Sequence, residues 1–357
     1  MLDTEKVKKI LSSVTYPEFQ KDIVAFGFVK KIELKENRAF IELEIPSANP
    51  KIALNIKKSV SEVLKKSGIE SEIAIRQPKQ PELKSNFKSG KNIVPNVKNF
   101  VMVSSGKGGV GKSTTTVNLA LALMEQGRRV GILDADIYGP NIPRMLGVTD
   151  QKPEVAEGRI KPLKVYGIEM MSMGVLMGEG QSLIWRGAMI MKAIEQLLGD
   201  VLWSDLDILF IDMPPGTGDA QLTLAQSVPV TCGICVTTPQ IVALDDAARS
   251  LSMFEKLHIS VAGIIENMSG FVCPDCGKEY DIFGRKNGSE LGRKYNTAVL
   301  AEIPLEQKIR EGGDSGKPVM IFNSDTISAK RYRAAAAALW QKIEQLLGDN
   351  SEIQPVL

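Results

Sequence analysis

The sequence has a single histidine, four cysteines and almost no net charge. With His258 alone, a metal centre or catalytic site built on several imidazoles is excluded, and we expect this residue in a loop or at a helix end. A formal charge of +2, from 44 basic and 42 acidic residues, shows no basic footprint for nucleic acid. We see no apolar run of transmembrane length and no N-terminal apolar segment typical of a secretion signal. We therefore expect a cytoplasmic protein with no nucleic-acid partner and no stable membrane association.

The four cysteines form two Cys-x-x-Cys pairs rather than the framework of a small secreted protein. Such pairs in an intracellular chain favour metal or redox chemistry. Cys232 and Cys235 lie on a predicted strand and should point to opposite faces, so we expect two buried core residues. Cys273 and Cys276 lie in a turn that points both thiolates at one metal. Zinc sites and cubane clusters usually need four ligands, so a second chain would have to supply two.

The length and composition leave room for one large and one small domain, since 43% of the 357 residues are apolar and 24% are charged. Residues 1–76 predict a small α+β domain with helix, hairpin, helix and strand, and a hairpin turn at Glu36-Asn37. Residues 77–98 are rich in lysine and proline and predict a linker. Residues 99–350 alternate strands and helices, which is typical of a doubly wound, mostly parallel α/β sheet. Residues 351–357 form a tail.

The most specific motif is the glycine-rich stretch from Gly106 to Ser113, with the pattern Gly-x-x-x-x-Gly-Lys-Ser. It follows an apolar strand pattern and precedes a helical one, which is the context of a phosphate-binding loop. The glycines allow successive N–H groups to point inward, and the helix N-terminus adds partial positive charge. We expect Lys112 to neutralise the β- and γ-phosphate oxygens and Ser113 to bind Mg²⁺. The expected nucleotide contacts on this loop are Gly106, Lys107, Gly108, Gly109, Val110, Gly111, Lys112, Ser113 and Thr114.

Aspartates end two other predicted strands. Asp134 and Asp136 follow one apolar run, and Asp212 follows another. Open α/β sheets place their ligands at the carboxyl ends of strands. An acid there can hold Mg²⁺ through water, and Gly216 lets the backbone approach a γ-phosphate. The sequence therefore predicts nucleotide hydrolysis that depends on positioning and charge neutralisation.

Lys107, directly after the first glycine, gives a spacing that resembles the deviant Walker A loop of the MinD/ParA/nitrogenase-iron-protein class of ATPases. In that class the second lysine reaches the phosphates of the nucleotide held by a partner subunit, so the resemblance implies a homodimer. The resemblance also implies roles for four further residues. Asp212 would be the Walker B acid, Asp136 would orient the attacking water, Asp134 would lie near the magnesium, and Asn267 would recognise the adenine edge.

Further motifs resemble the Mrp/ApbC branch of iron–sulfur carrier ATPases. They are Asp-Ala-Asp-Ile-Tyr-Gly-Pro at 134–140, Trp-Arg-Gly at 185–187, Asp-Met-Pro-Pro-Gly-Thr-Gly-Asp at 212–219, Thr-Thr-Pro-Gln at 237–240, Glu-Asn-Met-Ser at 266–269 and Cys-Pro-Asp-Cys at 273–276. The resemblance implies an ATP-hydrolysing homodimer that carries a labile 4Fe-4S cluster between its subunits, on Cys273 and Cys276. It implies cluster donors and apo iron–sulfur proteins as partners, and ATP, Mg²⁺ and the cluster as cofactors. The implied catalytic residues are Lys107, Lys112, Asp136 and Asp212.

Residues 1–76 resemble the small iron–sulfur assembly domain often fused ahead of such ATPases. That domain frequently carries a cysteine in a turn after its second strand, where this chain has Ser47-Ala48-Asn49-Pro50. Without this cysteine, we expect the small domain to dock proteins rather than to ligate a cluster.

Two other functions stay open at the level of sequence. A positioning ATPase of the MinD/ParA type would bind partners as a switch and would not need Cys273 and Cys276. A regulatory ATPase dimer could instead use Cys-Pro-Asp-Cys-Gly as a structural zinc knuckle. The colour of anaerobically purified protein separates these functions, because a cluster absorbs visible light and zinc does not.

Overall fold

The computed structural model describes residues 3–15, 22–35, 38–44, 50–76, 92–156, 158–176, 187–216 and 218–351. The chain divides into two compact units, Met1–Ser85 and Asn86–Leu357. Some features of the sequence lie outside the described residues. These are the turn at 36–37, the segment 45–49, the predicted linker from 77 to 91, residues 185–186 and the tail from 352 onward.

In its described residues, the N-terminal unit is a three-stranded sheet with two helices. Its elements are α1 (Thr4–Leu11), β1 (Val29–Lys35), β2 (Arg38–Glu44), α2 (Pro50–Lys66) and β3 (Glu70–Arg76). β1 and β2 pair antiparallel, and β3 pairs with β2 in parallel. The apolar faces of these elements form a core of their own, which includes Val7, Leu11, Ile41, Leu43, Ile56, Val60 and Leu64. The predicted small α+β domain is confirmed.

The second unit alternates strands and helices along the chain. Its strands are β4 (Phe100–Ser105), β5 (Val130–Asp134), β6 (Val155–Ala156), β7 (Arg159–Ile160), β8 (Leu163–Val165), β9 (Ile168–Ser172), β10 (Ile208–Asp212), β11 (Val230–Thr237), β12 (Val261–Val272), β13 (Glu279–Tyr280) and β14 (Val299–Leu305). Its helices are α3 (Lys112–Glu125), α4 (Ile142–Met145), α5 (Met173–Leu176), α6 (Gly187–Gly199), α7 (Asp219–Ser227), α8 (Ile241–Lys256), α9 (Gly288–Lys294), α10 (Gln307–Ser315), α11 (Val319–Phe322) and α12 (Ile327–Ser351).

Among the described residues of the second unit, nine strands form one sheet. Its order is β13-β12-β11-β4-β10-β5-β9-β8, and β14 also pairs with β12. β8 and β13 are antiparallel to their neighbours, and the other pairs are parallel. β4, β5, β9 and β10 are buried at every position, as expected for parallel strands covered on both faces. The predicted doubly wound, mostly parallel sheet is confirmed.

The register of the central strands places the acids side by side. Asp212 of β10 pairs with Asp134 of β5 on one side and with Val103 of β4 on the other. The carboxyl ends of these three strands therefore meet directly below the loop that follows β4. α3 and α12 pack against each other, and α12 buries Tyr332 and Leu339.

The last part of the predicted linker is packed, which corrects that prediction for residues 92–98. Val94 and Val97 are buried in the core of the second unit. Val97 bridges to Leu206, and Lys98 N donates to the Leu206 carbonyl oxygen at 3.1 Å. The lysine and proline content gave no indication that these two valines are buried, and Val97 pairs with a residue more than a hundred positions away. In the described part of the chain, no helix has both the length and the apolarity that a membrane crossing requires.

Candidate functional site

The glycine-rich loop between β4 and α3 is held in place by close backbone contacts. Gly111 precedes α3 with a left-handed φ of 85°. A Cβ at Gly111 would lie 2.1 Å from Asn267 Nδ2, and a Cβ at Gly106 would lie 2.0 Å from the Asp246 carbonyl carbon of α8. Side chains at these two positions would displace the loop. The loop can therefore present its N–H groups at the amino end of a fourteen-residue helix.

Lys112 and Asp212 form a buried ion pair at the centre of the site. The ammonium lies 2.7 Å from Asp212 Oδ2 and 3.7 Å from Asp136 Oδ2. Ser113 Oγ donates to Asp212 Oδ2, and Thr116 Oγ1 donates to Asp212 Oδ1, both at 2.6 Å. The structure thus brings together Lys112, Ser113, Asp136 and Asp212, which the sequence predicted as one site.

The hydroxyl of Ser113 and the carboxylates of Asp136 and Asp212 are oxygen donors of the kind that Mg²⁺ prefers. Ser113 Oγ contacts Asp212 Oδ2 directly, and Asp136 Oδ2 lies 3.7 Å from the Lys112 ammonium that also contacts Asp212. The donor set fits Mg²⁺.

Asp134 and Asp136 have different surroundings. Asp134 is buried; its Oδ1 accepts from Asp136 N at 3.2 Å, and its Oδ2 accepts from Ser172 Oγ at 3.0 Å. Burial, and then the nearby Asp212 carboxylate, raise the pKa of Asp134 to about 8. Burial also raises the pKa of Asp136, and the Lys112 ammonium opposes this. Asp134 therefore positions the backbone that carries Asp136, while its expected place near magnesium stays a prediction.

The loop after β10 passes close to the phosphate loop. Gly216 N donates to the Ser105 carbonyl oxygen at 3.1 Å. Gln221 of α7 holds the loop from inside, because its Nε2 donates to the carbonyl oxygens of Pro214 and Gly216 at 3.0 Å each. Lys107 is half-buried, and its ammonium forms no ion pair with any residue within the described ranges.

Asn267 lies against the phosphate loop, where its Nδ2 donates to the Val110 carbonyl oxygen at 2.9 Å. Together with Gly111 and Thr114 it lines a cavity of about 300 Å³ that extends to Met145 and Leu305. This cavity adjoins the phosphate loop, and its walls combine apolar side chains with polar ones such as Asn141 and Arg310, a lining that suits a nucleobase. Recognition of the adenine edge by Asn267 stays a prediction.

The second Cys-x-x-Cys pair lies in an exposed hairpin formed by β12 and β13. Cys273 N donates to the Lys278 carbonyl oxygen at 3.0 Å, and Gly277 N donates to the Cys273 carbonyl oxygen at 2.9 Å. Cys276 is exposed and Cys273 is half-buried. Backbone N–H groups of Cys276 and Asp275 lower the pKa of the Cys273 thiol. The turn therefore offers two accessible sulfur ligands, of which one is stabilised as a thiolate.

The first Cys-x-x-Cys pair is buried, as the sequence predicted. Cys232 and Cys235 are fully buried on β11 and belong to different core clusters. Burial raises the pKa of both thiols to about 12. His258, with a left-handed φ of 54°, follows the end of α8, as expected. Within the described ranges, no three His, Cys, Asp or Glu side chains are grouped around a possible metal position.

Residues 96–340 match the sequence profile of the NUBPL iron-transfer P-loop NTPase family. The chain belongs to this family. Residues 4–74 match a second family, described as iron–sulfur cluster assembly protein. These matches confirm the resemblance that the motifs carried.

Relatives of this P-loop NTPase span nearly its whole length. The iron–sulfur cluster carrier protein of Helicobacter pylori is 50% identical, covering 99% of this chain and 98% of its own. The iron–sulfur cluster carrier protein of Deinococcus radiodurans is 41% identical, and the match covers 98% of this chain and 98% of its own. Both are described as iron–sulfur cluster carrier proteins, which supports the carrier interpretation of the motifs over the positioning ATPase and the zinc-knuckle ATPase.

Solved structures agree with the fold of the NTPase unit. The nucleotide-binding protein of Archaeoglobus fulgidus in complex with ADP is 37% identical, with a TM-score of 0.57, over 64% of this chain and 92% of its own. The cell division ATPase MinD of Pyrococcus furiosus has a TM-score of 0.52 over 70% of this chain and 99% of its own; at 24% identity it shares the fold.

Sequence patterns did not indicate three further residues of the site. Thr116 contacts Asp212, Ser172 contacts Asp134, and Gln221 holds the loop at Pro214 and Gly216. Thr116 lies three residues after Ser113 on α3, so helical spacing could have indicated it. Ser172 and Gln221 are brought to the site by strand order and by a loop closure, which local patterns do not record.

Proposed function

We propose that this P-loop NTPase hydrolyses ATP and carries a labile 4Fe-4S cluster between two copies of the chain, receiving it from a cluster donor and passing it to apo iron–sulfur proteins. The observation that carries the proposal is the exposed Cys273–Cys276 turn at the end of β12, the strand whose Asn267 contacts the phosphate loop. We place the activity in the cytoplasm, because all four cysteines are free thiols and such thiols suit a reducing compartment.

The nucleotide part of the proposal assigns roles to the loop and its surroundings. N–H groups from Gly106 to Gly111 surround the phosphates, with Thr114 beside them on the first turn of α3. Lys112 neutralises phosphate oxygens, and Ser113 and Asp212 hold Mg²⁺, which neutralises charge that develops during phosphoryl transfer. The Asn267 amide contacts the base in the adjoining cavity.

Hydrolysis requires a positioned water molecule and a nearby γ-phosphate. Asp136 orients the water, and Asp134 holds the backbone of Asp136 through its N–H group. Gly216, tied to the Ser105 carbonyl oxygen, brings the loop after β10 to the γ-phosphate. Lys107 reaches the nucleotide of the second copy, and its half-buried side chain has no competing ion pair among the residues that the structure describes.

The cluster part of the proposal depends on the number of available thiolates. Cys232 and Cys235 are buried in opposite directions from β11, so each chain offers Cys273 and Cys276. A cubane cluster needs four sulfur ligands. Two copies related by a twofold axis supply four thiolates, one Cys273 and Cys276 pair from each chain, and twofold dimers are the commonest symmetric assembly.

Exposed apolar side chains next to the hairpin suit contact with a second copy. Ile282 and Phe283 follow the hairpin, and Ile241 and Val242 begin α8; they are 55%, 37%, 74% and 67% exposed. The two groups are neighbours, because Asn287 Nδ2 donates to the Pro239 carbonyl oxygen at 2.8 Å. An apolar surface beside an incomplete metal site is typical of an interface.

Anaerobic reconstitution with iron and sulfide tests the cluster proposal. We expect about four irons and four sulfides per dimer, with a visible absorption band. Cys273→Ala and Cys276→Ala should lose the band and retain ATP binding, whereas Cys232→Ala, a matched control in the core, should retain both. A colourless zinc-loaded protein, a full cubane cluster per monomer, or cluster loss in Cys232→Ala would contradict the proposal.

Two substitutions separate the proposed nucleotide roles. Asp136→Asn should bind ATP and lower the hydrolysis rate by roughly 100-fold, because one positioning carboxylate is lost.

Lys107→Ala should leave nucleotide bound to each chain while ATP-dependent dimerisation and most hydrolysis are lost. Phosphate release, light scattering and calorimetric titration measure these effects. Unchanged turnover in Asp136→Asn, or unchanged dimerisation and turnover in Lys107→Ala, would remove that residue from the proposal.

A further inference from the structure

β12 bulges between the phosphate loop and the cysteine hairpin. It pairs with β14 at Asn267↔Ile303 and again at Phe271↔Leu305. Between these pairs β12 contains three residues and β14 contains one, so residues 268–270 form a bulge. Met268 and Gly270 have left-handed φ angles of 56° and 77°. Methionine rarely adopts such a backbone conformation, so surrounding contacts must hold the bulge in place.

Asn267 connects the bulge to the phosphate loop. Its Nδ2 donates to the Val110 carbonyl oxygen at 2.9 Å, and the side chain is buried. A Cβ atom added at Gly111 would lie only 2.1 Å from the same nitrogen. In so close a contact, a shift of the backbone at Val110 and Gly111 also shifts Asn267.

Glu266 connects the bulge to the far end of the hairpin loop. Its buried carboxylate accepts hydrogen bonds from Ser269 Oγ, from Lys286 N at 2.8 Å and from Gly288 N, the first residue of α9. The chain between the bulge and Lys286 contains Cys273 and Cys276. Glu266 therefore closes this loop at its base, while the neighbouring side chain of Asn267 points to the phosphate loop.

We infer that Glu266 and Asn267 are positioning residues that couple occupancy of the phosphate loop to the geometry of Cys273 and Cys276. Bound phosphate groups fix Val110 and Gly111, Asn267 passes this restraint to the bulge, and Glu266 passes it to the base of the hairpin. The hairpin then moves less and retains the iron–sulfur cluster. When the nucleotide leaves, the hairpin becomes more mobile. The inference rests on the proposed function, in which these thiolates hold the cluster, but the contacts belong to the chain itself.

The test uses the full-length, metal-free protein and the rate at which iodoacetamide alkylates Cys273 and Cys276. Rates are measured with and without saturating Mg·ADP, at a matched oligomeric state checked by light scattering. Peptide mass spectrometry separates these cysteines from Cys232 and Cys235, whose buried thiols serve as an unreactive background. In the natural sequence we expect ADP to slow alkylation about fivefold, the lower end of ordinary coupling between sites.

Ser269→Ala and Glu266→Gln weaken the base of the hairpin without touching the phosphate loop. Both should bind ADP with the affinity of the natural protein and lose most of the ADP effect on alkylation. Ser227→Ala is the matched control, since this buried serine donates within α7 to the Thr223 carbonyl oxygen at 2.8 Å; it should keep the full effect. If Glu266→Gln does not fold, Ser269→Ala decides alone.

No ADP effect in the natural sequence, or a full effect in Ser269→Ala, would overturn the inference. Failure of the proposed function is a separate result, because it shows as absence of a cluster after reconstitution. Alkylation reports the coupling in either case.

Discussion

Asp212 is the residue on which the nucleotide site is centred. It is fully buried and accepts hydrogen bonds from Lys112, Ser113 and Thr116. A buried carboxylate is stable in the ionised form when a cation and hydrogen-bond donors surround it. Lys112 therefore has two tasks in the proposed function: it neutralises phosphate, and it compensates the charge of Asp212.

The two tasks of Lys112 can be separated by a pair of variants. We expect Lys112→Ala to abolish ATP hydrolysis and to lower the free energy of unfolding by about 3 kcal/mol, because one charge of a buried pair is left uncompensated. Lys112→Ala combined with Asp212→Asn removes both charges and should regain most of that stability while staying inactive. Phosphate release and urea unfolding measure the two effects. A double variant no more stable than Lys112→Ala would show that the ion pair is not the cause.

At the scale of elements, the phosphate loop is held between helix α8 and strand β12. Gly106 contacts the backbone of α8, and Gly111 contacts Asn267 of β12. The loop therefore has its shape through contacts with α8 and β12 as well as through its own glycines.

Gly111→Ala tests this arrangement. The left-handed φ of 85° and the 2.1 Å approach to Asn267 Nδ2 leave no space for a methyl group. We expect a loss of ATP affinity of about tenfold or more, equivalent to roughly 1.4 kcal/mol. Gly199→Ala, at the end of α6 with nothing within 4 Å of the added Cβ, is the control and should bind ATP normally. Equal affinities in calorimetric titration would contradict the expected contact.

The amino ends of the central strands, opposite the nucleotide site, are joined by a cluster of ion pairs. Asp207, just before β10, accepts hydrogen bonds from Lys98 Nζ at 2.9 Å and from Arg129 Nη2 at 3.0 Å. The Arg129 guanidinium holds the pKa of Asp207 well below its usual range. Lys98 precedes β4 and Arg129 precedes β5, so one carboxylate links the starts of three neighbouring strands.

This link should make stability depend on pH. Because the pKa of Asp207 is lower in the folded state than the ordinary value of about 3.9, its contribution is full above that pH and is lost as the pH falls towards the folded value. We expect Asp207→Asn to lower the free energy of unfolding by about 1 kcal/mol at pH 7, since the cations are partly exposed. The difference should be smaller at about pH 3.5. Urea unfolding at both pH values measures it, with exposed Asp205→Asn as the control; a difference that does not shrink would contradict the assignment.

At the scale of the whole molecule, each of the two units has hydrophobic clusters of its own among the described residues. The core of the N-terminal unit and the main core of the NTPase unit have no residue in common. Separate cores allow units to fold independently.

A fragment of residues 86–357 should therefore fold cooperatively and hydrolyse ATP. All the nucleotide and cysteine residues lie within it, and Val94 and Val97 retain their buried positions. Circular dichroism and phosphate release measure folding and activity against the full-length chain. A fragment that is unfolded, or folded without ATPase activity, would show that the NTPase unit depends on residues 1–85.

The sequence alone determined the class of fold, the phosphate loop, the acids at the strand ends and the difference between the two cysteine pairs. These features depend on local spacing: apolar runs of strand length, glycines at fixed intervals before a helix, and the alternation that turns Cys232 and Cys235 apart. Local spacing involves only a few neighbouring residues, so it can be recognised in a short stretch of sequence.

The tertiary structure decided which distant groups meet. It made β12 a twelve-residue strand, Val261–Val272, so that one strand contacts the phosphate loop and carries the cysteine hairpin. It brought Ser172 to Asp134 and Lys286 to Glu266, and it packed the end of the predicted linker against Leu206. Such contacts depend on strand order, register and loop closure, which arise from the packing of the whole sheet and leave no periodic pattern in the chain.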